Sequence, residues 1–228
     1  MEPRPGKLDV LRIEGHDLRS PLANIRQYAG MALARKELDP RTRRALEIIV
    51  KNADRALDLV EAWLDVRRSG AGTLELHPTP TSLPGLVRMA LADEKAAADE
   101  AGVQVRADLD EAIPPLALDA DRMRRAVRAI VQAALRRAPS GSTIRVRLRP
   151  HDGEVRLEVE DEGPLPGAEE RERAFDPEYQ MLRARRMAAG LAMALARASA
   201  EAHGGGAFLE AGPNGGATHV LRLPLARA

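Results

Sequence analysis

The chain carries His16-Asp17-Leu18-Arg19-Ser20-Pro21-Leu22, which sets an imidazole, a carboxylate, a guanidinium and a hydroxyl within about two turns of a helix. The surrounding apolar positions, Leu8, Leu11, Gly15, Leu18, Leu22, Ile25, Ala29 and Ala32, alternate steps of three and four, the seam of a helix packed in a bundle. His16 lies one step off that seam, so its ring is expected to face solvent on the bundle flank. Pro21 removes the amide that would bond the carbonyl of Asp17, and a bend is expected just past the histidine. An exposed histidine with an adjacent acid and a built-in kink points to a reactive imidazole.

These seven residues resemble the phosphoacceptor box of sensor histidine kinases, and all seven positions fit the family's order. The resemblance implies that His16 takes a phosphoryl group on a ring nitrogen, with Asp17 orienting or polarising the ring. It implies passage of that group to an aspartate on the receiver domain of a response regulator. Arg19 is placed to stabilise the transferring group or to make a surface ion pair. Ser20 stands where the family orients a water for dephosphorylation, or it bonds its own helix backbone.

Composition narrows the class. The 228 residues carry a formal net charge of +1, which predicts no nucleic-acid partner. Arginines cluster at Arg122, Arg124 and Arg125 and again at Arg183, Arg185 and Arg186, and these are expected to be solvated helix faces. With no cysteine, disulfides and thiolate metal sites are excluded, and no metal ligands are assigned. No apolar run reaches ~18 residues and no signal peptide is visible, so a cytoplasmic protein without a membrane span is expected. Aromatics are 2% of the chain against 44% hydrophobic residues, so Ala, Leu and Val must build a core of closely approaching helices.

The first helix is predicted from about Lys7 to about Arg35, ending before Asp39-Pro40. A second seam follows at Ala45, Ile49, Asn52, Ala56, Leu59, Trp63 and Val66. One hairpin of this length cannot bury both seams, so two copies are expected to pair into a four-helix bundle, a homodimer with Trp63 buried at or near its interface. Asn52 is a candidate for fixing register. Ser69-Gly70-Ala71-Gly72 breaks the pattern, which gives domains 1–70 and 71–228. Beyond it the reading is one helix over Leu83–Ala101, a strand from Val103 to Leu109 and a helix from Asp119 to Arg137. A hairpin follows, turning at His151-Asp152-Gly153, then a helix over Ala188–His203 and a last hairpin around Pro213–Gly216. The fold class is α+β: a helical hairpin dimerising into a bundle, followed by helices layered on a mixed sheet.

The second half resembles the catalytic ATP-binding domain of the same kinases, an α/β sandwich. The resemblance rests on Asp161-Glu162-Gly163-Pro164 as a first glycine box and Phe175-Asp176-Pro177-Glu178-Tyr179 as a phenylalanine box. It rests also on Ala189-Gly190-Leu191-Ala192 as a second glycine box and on Glu201-Ala202-His203-Gly204-Gly205. It implies that Asp161 reads an adenine amino group, with Gly163 and Gly190 lining the nucleotide, although Asp-Glu-Gly-Pro is also an ordinary turn after a strand.

The departures are as informative. The family holds Mg²⁺ through helix asparagines whose positions here are Ala129 and Ala133, and a methyl offers a hard cation no oxygen. Gln132 stands one residue, about 100°, away. The second glycine of the first box is Leu165, and Gly190 is flanked by Ala188 and Ala192. The lid segment between Tyr179 and Gly190 is short, arginine-rich and free of glycine.

An intact histidine box beside a damaged nucleotide pocket predicts a dimeric phosphotransferase that needs no cofactor, taking phosphate from one receiver domain and passing it to another. Fifteen residues before His16 leave no sensor module in the chain as given, unless it is a segment of a longer sensor. The alternatives are an autokinase with an unusual Mg-ATP site, and a non-catalytic pseudokinase that regulates a partner by contact.

Overall fold

The computed structural model describes residues 15–35, 37–70, 74–177, 179 and 187–225, without the side chains of residues 15, 16, 58, 69, 70 and 187–190. It divides into two compact units, residues 1–64 and 65–228.

The first unit is a helical hairpin of α1 (Gly15–Leu33) and α2 (Pro40–Gly70). The expected start near Lys7, with Leu8 and Leu11, lies outside the described residues. Asp39 caps α2: its Oδ1 accepts the N–H groups of Arg41 and Thr42, each at 3.0 Å, and Pro40 opens the helix where no donor is needed.

Of the seam expected on the second helix, Ala56, Leu59, Trp63 and Val66 are half-buried in the single hairpin, and its N-terminal part is open. Ala53 is buried, and Leu46, Val50, Leu57 and Val60 are half-buried, whereas Ala45, Ile49 and Asn52 are exposed. Leu46, Val50 and Ala53 have the same helical spacing as the expected seam, so spacing alone does not say which residues meet α1. Asn52 donates from Nδ2 to the Ile48 carbonyl of its own helix at 2.9 Å.

The second unit is a sheet covered on one face by helices. Its five strands run in the order β2 (Gln104–Leu109), β4 (Thr143–His151), β5 (Glu154–Glu160), β7 (Ala217–Pro224), β6 (Gly206–Ala211). β2 and β4 are parallel and the rest antiparallel. Period-two alternation sends Ile144, Val146, Leu148, Val155, Leu157, Val159, Leu221 and Leu223 into the core. The opposite face carries Arg145, Arg147 and Arg149 on β4, with Glu158 and Glu160 beside them on β5. The β4–β5 turn puts Asp152 and Gly153 at φ +48° and +81°, the left-handed pair that a two-residue hairpin demands.

Helix α5 (Ala120–Arg137) packs against the inner face, between α3 (Leu83–Asp93) and α7 (Met187–Ala202). Two further elements are α4 (Lys95–Ala101) and α6 (Ala168–Glu172). The single helix expected over Leu83–Ala101 is broken at Glu94. That residue leaves helical geometry (φ −96°, ψ 1°), and its buried carboxylate accepts from Arg128 Nε and Gln132 Nε2, both at 2.9 Å. A two-stranded ribbon of β1 (Thr79–Thr81) and β3 (Leu116–Leu118) was not expected, since three residues are too short to show a period.

Asp119 joins several of these parts. Its Oδ1 accepts the Arg122 N–H and its Oδ2 accepts the His77 N–H, both at 3.2 Å, so it caps α5 and pins the segment leading to β1. Its own N–H donates to His203 Nε2 at 2.9 Å, and His203 Nδ1 reaches the Ser199 carbonyl at 2.7 Å, which puts the ring proton on Nδ1. Arg122, expected to be solvated, binds Asp65 and Asp119; Arg125 reaches Asp65, and Arg124 binds Asp93. Asp119→Ala is therefore expected to destabilise this unit by about 2 kcal/mol, read as a lower urea midpoint at unchanged m-value.

Candidate functional site

The hairpin presents the histidine box on α1. His16, Arg19 and Ser20 occupy positions i, i+3 and i+4 and so share a helix face; the His16 side chain lies outside the described residues. Leu18, Leu22, Ile25 and Ala29 follow a separate stripe. Asp17, Arg19 and Ser20 are exposed. Arg19 Nε stands 3.4 Å from Glu61 Oε1 on α2, with both side chains partly solvated. Such a pair contributes little to stability and leaves the guanidinium free to exchange partners.

The second site centres on Asp161, the residue after β5. Strand pairing continues into it: its N–H donates to the Ala217 carbonyl at 2.9 Å. The side chain is fully buried. Its Oδ1 accepts the Gly163 N–H at 2.9 Å, and its Oδ2 accepts Arg137 Nε at 3.1 Å. Arg137 Nη2 also donates to the Pro164 carbonyl. His219 Nε2 stands 3.4 Å from the same Oδ2 without hydrogen-bond geometry. Both readings of Asp161 thus share one geometry: it closes the turn after the strand, and it is an acceptor whose oxygens already have donors.

The remaining pocket residues are spread around it. Gly163 lies against the end of α5, where a Cβ would come within 2.5 Å of the Arg137 carbonyl oxygen. Leu165 is exposed, and its backbone does not adopt the left-handed conformation of a glycine. Ala129 and Ala133 are buried methyls on α5, and the Gln132 amide is engaged by Glu94. Gly190 begins the second turn of α7, while the arginine-rich lid segment, residues 181–186, lies outside the described residues. Phe175 and Tyr179 are buried, Arg173 stacks over the Tyr179 ring at 4.4 Å, and Asp176 Oδ1 accepts the Tyr179 N–H at 3.1 Å.

Sequence reasoning missed Arg137 and His219, although both left a signal. Counting by two from Leu223 through Leu221 puts His219 in the inward row, opposite Val159. Arg137 is one helical turn beyond Ala133, on the same face of α5.

Burial opposes the charge on Asp161, yet the His219 imidazole, the Arg137 guanidinium and the Gly163 N–H outweigh it and hold its carboxyl below the usual carboxylate range. For His219 burial dominates and pushes the imidazole down, against the pull of Asp161 and with the help of Arg137 and Arg136. A histidine so depressed contributes stability that is full above its ordinary value of 6.5 and is lost as pH falls below it, because the unfolded chain takes up the proton first. Asp161 acts in the same sense at lower pH: its contribution is present above 3.8 and is lost as pH falls toward its folded value. His219→Phe should therefore remove the higher-pH part of the acid sensitivity. Between about pH 7.5 and about pH 5 its urea midpoint should fall less than that of the wild type, whereas equal falls would refute a neutral buried imidazole.

Two family models match the chain. Residues 8–72 match the His Kinase A (phospho-acceptor) domain, and residues 118–227 match the histidine kinase-, DNA gyrase B- and HSP90-like ATPase. The histidine protein kinase DivJ of Caulobacter vibrioides is 32% identical over 96% of this chain. The sensor histidine kinase MtrB of Mycobacterium tuberculosis is 31% identical over 93%. The chain spans 38% of the length of each of these relatives. Among solved structures, full-length ShkA in complex with AMPPNP superposes with a TM-score of 0.72 at 26% identity, covering 94% of this chain and 45% of that one. Acinetobacter baumannii AdeS, at 20% identity and TM-score 0.63 over 93% of this chain and 98% of that one, shares the fold. Among the described residues no helix is long and apolar enough to cross a membrane. A phospho-acceptor hairpin leading into an ATPase-type α/β sandwich, matched along nearly the whole chain by sensor kinases, makes this chain a member of the histidine kinase family.

Proposed function

We propose that the chain is a histidine phosphocarrier of a two-component relay. An imidazole nitrogen of His16 attacks the phosphorus of an aspartyl phosphate on one receiver domain; the N–P bond forms as the acyl O–P bond breaks and the aspartate carboxylate leaves. The reverse step, at the aspartate of a second receiver, returns the imidazole. Positioning and charge carry most of such a transfer. Arg19 and Ser20, on the His16 face, supply a guanidinium and a hydroxyl to the phosphoryl oxygens, and Asp17 orients the ring.

The single observation behind a closed nucleotide pocket is that Asp161, the acceptor for a base, is fully buried with donors on both oxygens. Ala129 and Ala133 add no oxygen ligand, so the residues present do not fit Mg-ATP, and no step is routed through it. An ATP-dependent autokinase is the second reading, favoured by the retention of Asp161 and Gly163 and by sensor-kinase similarity that runs through this half of the chain.

Calorimetric titration with Mg-ATP should give no saturable heat at millimolar nucleotide; micromolar binding would establish the autokinase instead. A receiver domain labelled beforehand by radioactive acetyl phosphate should transfer its label to the wild-type chain and not to His16→Gln. A scaffold would take no label in either form.

Pairing of two hairpins would cover seam residues that one copy leaves exposed, among them Leu18, Ile25 and Ile49. Ile49→Glu should raise the dimer dissociation constant at least about tenfold in sedimentation equilibrium, since it places a charge where a second copy covers the stripe.

A further inference from the structure

We infer that Arg137 is the residue that decides base exclusion: its guanidinium holds, from within the chain, the place on Asp161 that the amino group of a purine would take. This rests on the closed-pocket reading above and names the occupant.

The fork of Arg137 engages two acceptors at once, the Asp161 carboxylate through Nε and the Pro164 carbonyl through Nη2. An aminopurine edge offers one amino donor beside a ring-nitrogen acceptor. The carboxylate has one oxygen bound to the Gly163 N–H and the other to Arg137, with His219 Nε2 3.4 Å from that second oxygen, while the guanidinium presents donors only. A buried carboxylate without a cation is costly, so the pair is self-reinforcing: while Asp161 is ionised, Arg137 is held.

The block is nevertheless a side chain and not a collapse of the backbone. Gly163 keeps its close approach to the Arg137 carbonyl, and the Ala217 carbonyl keeps Asp161 in strand register. The Arg137 side chain is 23% exposed, so its outer edge already meets solvent while Asp161 does not. Removing the guanidinium should leave the turn in place and open one acceptor, with the Arg137 stem volume vacated beside it. Without metal ligands at Ala129 and Ala133, only the base half of a nucleotide site is recovered, and the appropriate probe is adenosine in the absence of metal.

The test is adenosine titration of wild type, Arg137→Ala and Arg137→Met, followed by calorimetry and by the amide signals of Gly163 and Ala217. The methionine variant keeps the apolar stem in case the alanine variant unfolds. Wild type should show no saturable change. At least one folded variant should bind adenosine at least about tenfold more tightly than wild type, with both amides shifting, and adding Asp161→Asn should abolish the gain. Folded variants that stay silent while wild type is also silent would overturn Arg137 as the determinant and leave the closed pocket standing. Wild type that binds as tightly as the variants would overturn the closed pocket itself. Binding that survives Asp161→Asn would place adenosine elsewhere and also refute the proposal.

Discussion

The seating of α5 is the constraint on which the second unit depends. One side of this helix buries Met123, Ala126, Val127, Ile130, Val131 and Ala134 without exposure. Its flanks carry five arginines that meet carboxylates from separate parts of the chain. Arg122 and Arg125 meet Asp65, Arg124 meets Asp93, Arg128 meets Glu94 and Arg137 meets Asp161. Burial fixes which face turns inward, and the ion pairs fix rotation and height, because a partly desolvated charge displaced from its partner is penalised. The break at Glu94 and the turn after β5 stand where two of those arginines meet carboxylates.

The same seating explains what the pocket gains and loses. Alanines at 129 and 133 let α5 lie close to its neighbours, and both methyls are nearly inaccessible. An amide there would need partners of its own, from a metal or from water. Methyls at these two positions call for no polar partner. Arg137 completes the logic one turn later, since a buried Asp161 needs a compensating cation and the helix supplies it. Beside this pair the ring nitrogens of the buried His219 make no hydrogen bond, Nε2 standing 3.4 Å from the same carboxylate.

What could be read from the sequence followed from periodicity and from unlike residues in fixed order. The strand alternation of Ile144, Val146 and Leu148, the turn at Asp152-Gly153 and the helix that follows Asp119 are local, and they stand where they were expected. The hidden features depend on residues far apart. Glu94 breaks a helix because of Arg128 and Gln132, more than thirty positions away. Asp161 is neutralised by a residue 24 positions earlier, and the three-residue strands β1 and β3 pair across 37 positions between Thr81 and Leu118. Which apolar residues of α2 meet α1 was equally hidden, because Leu46, Val50 and Ala53 have the same helical spacing as the expected seam. For the histidine box the sequence order was legible, while partnerships such as Arg19 with Glu61 emerge only from the hairpin.

In the proposed reading the two halves face opposite demands on exposure. A phosphocarrier imidazole must be reachable by a second protein, and the polar residues around position 16 are solvated accordingly. A base pocket in a protein without a nucleotide would be an open cavity with a desolvated acceptor, so filling it from within removes a destabilising feature. The hairpin can also meet two partners without conflict. The face shared by His16, Arg19 and Ser20 is separate from the stripe of Leu18, Leu22 and Ile25, so a second hairpin can cover the apolar stripe while a receiver approaches the polar face. The weak Arg19–Glu61 pair fits that arrangement, because a half-solvated guanidinium can turn from a carboxylate to a phosphoryl group at little cost.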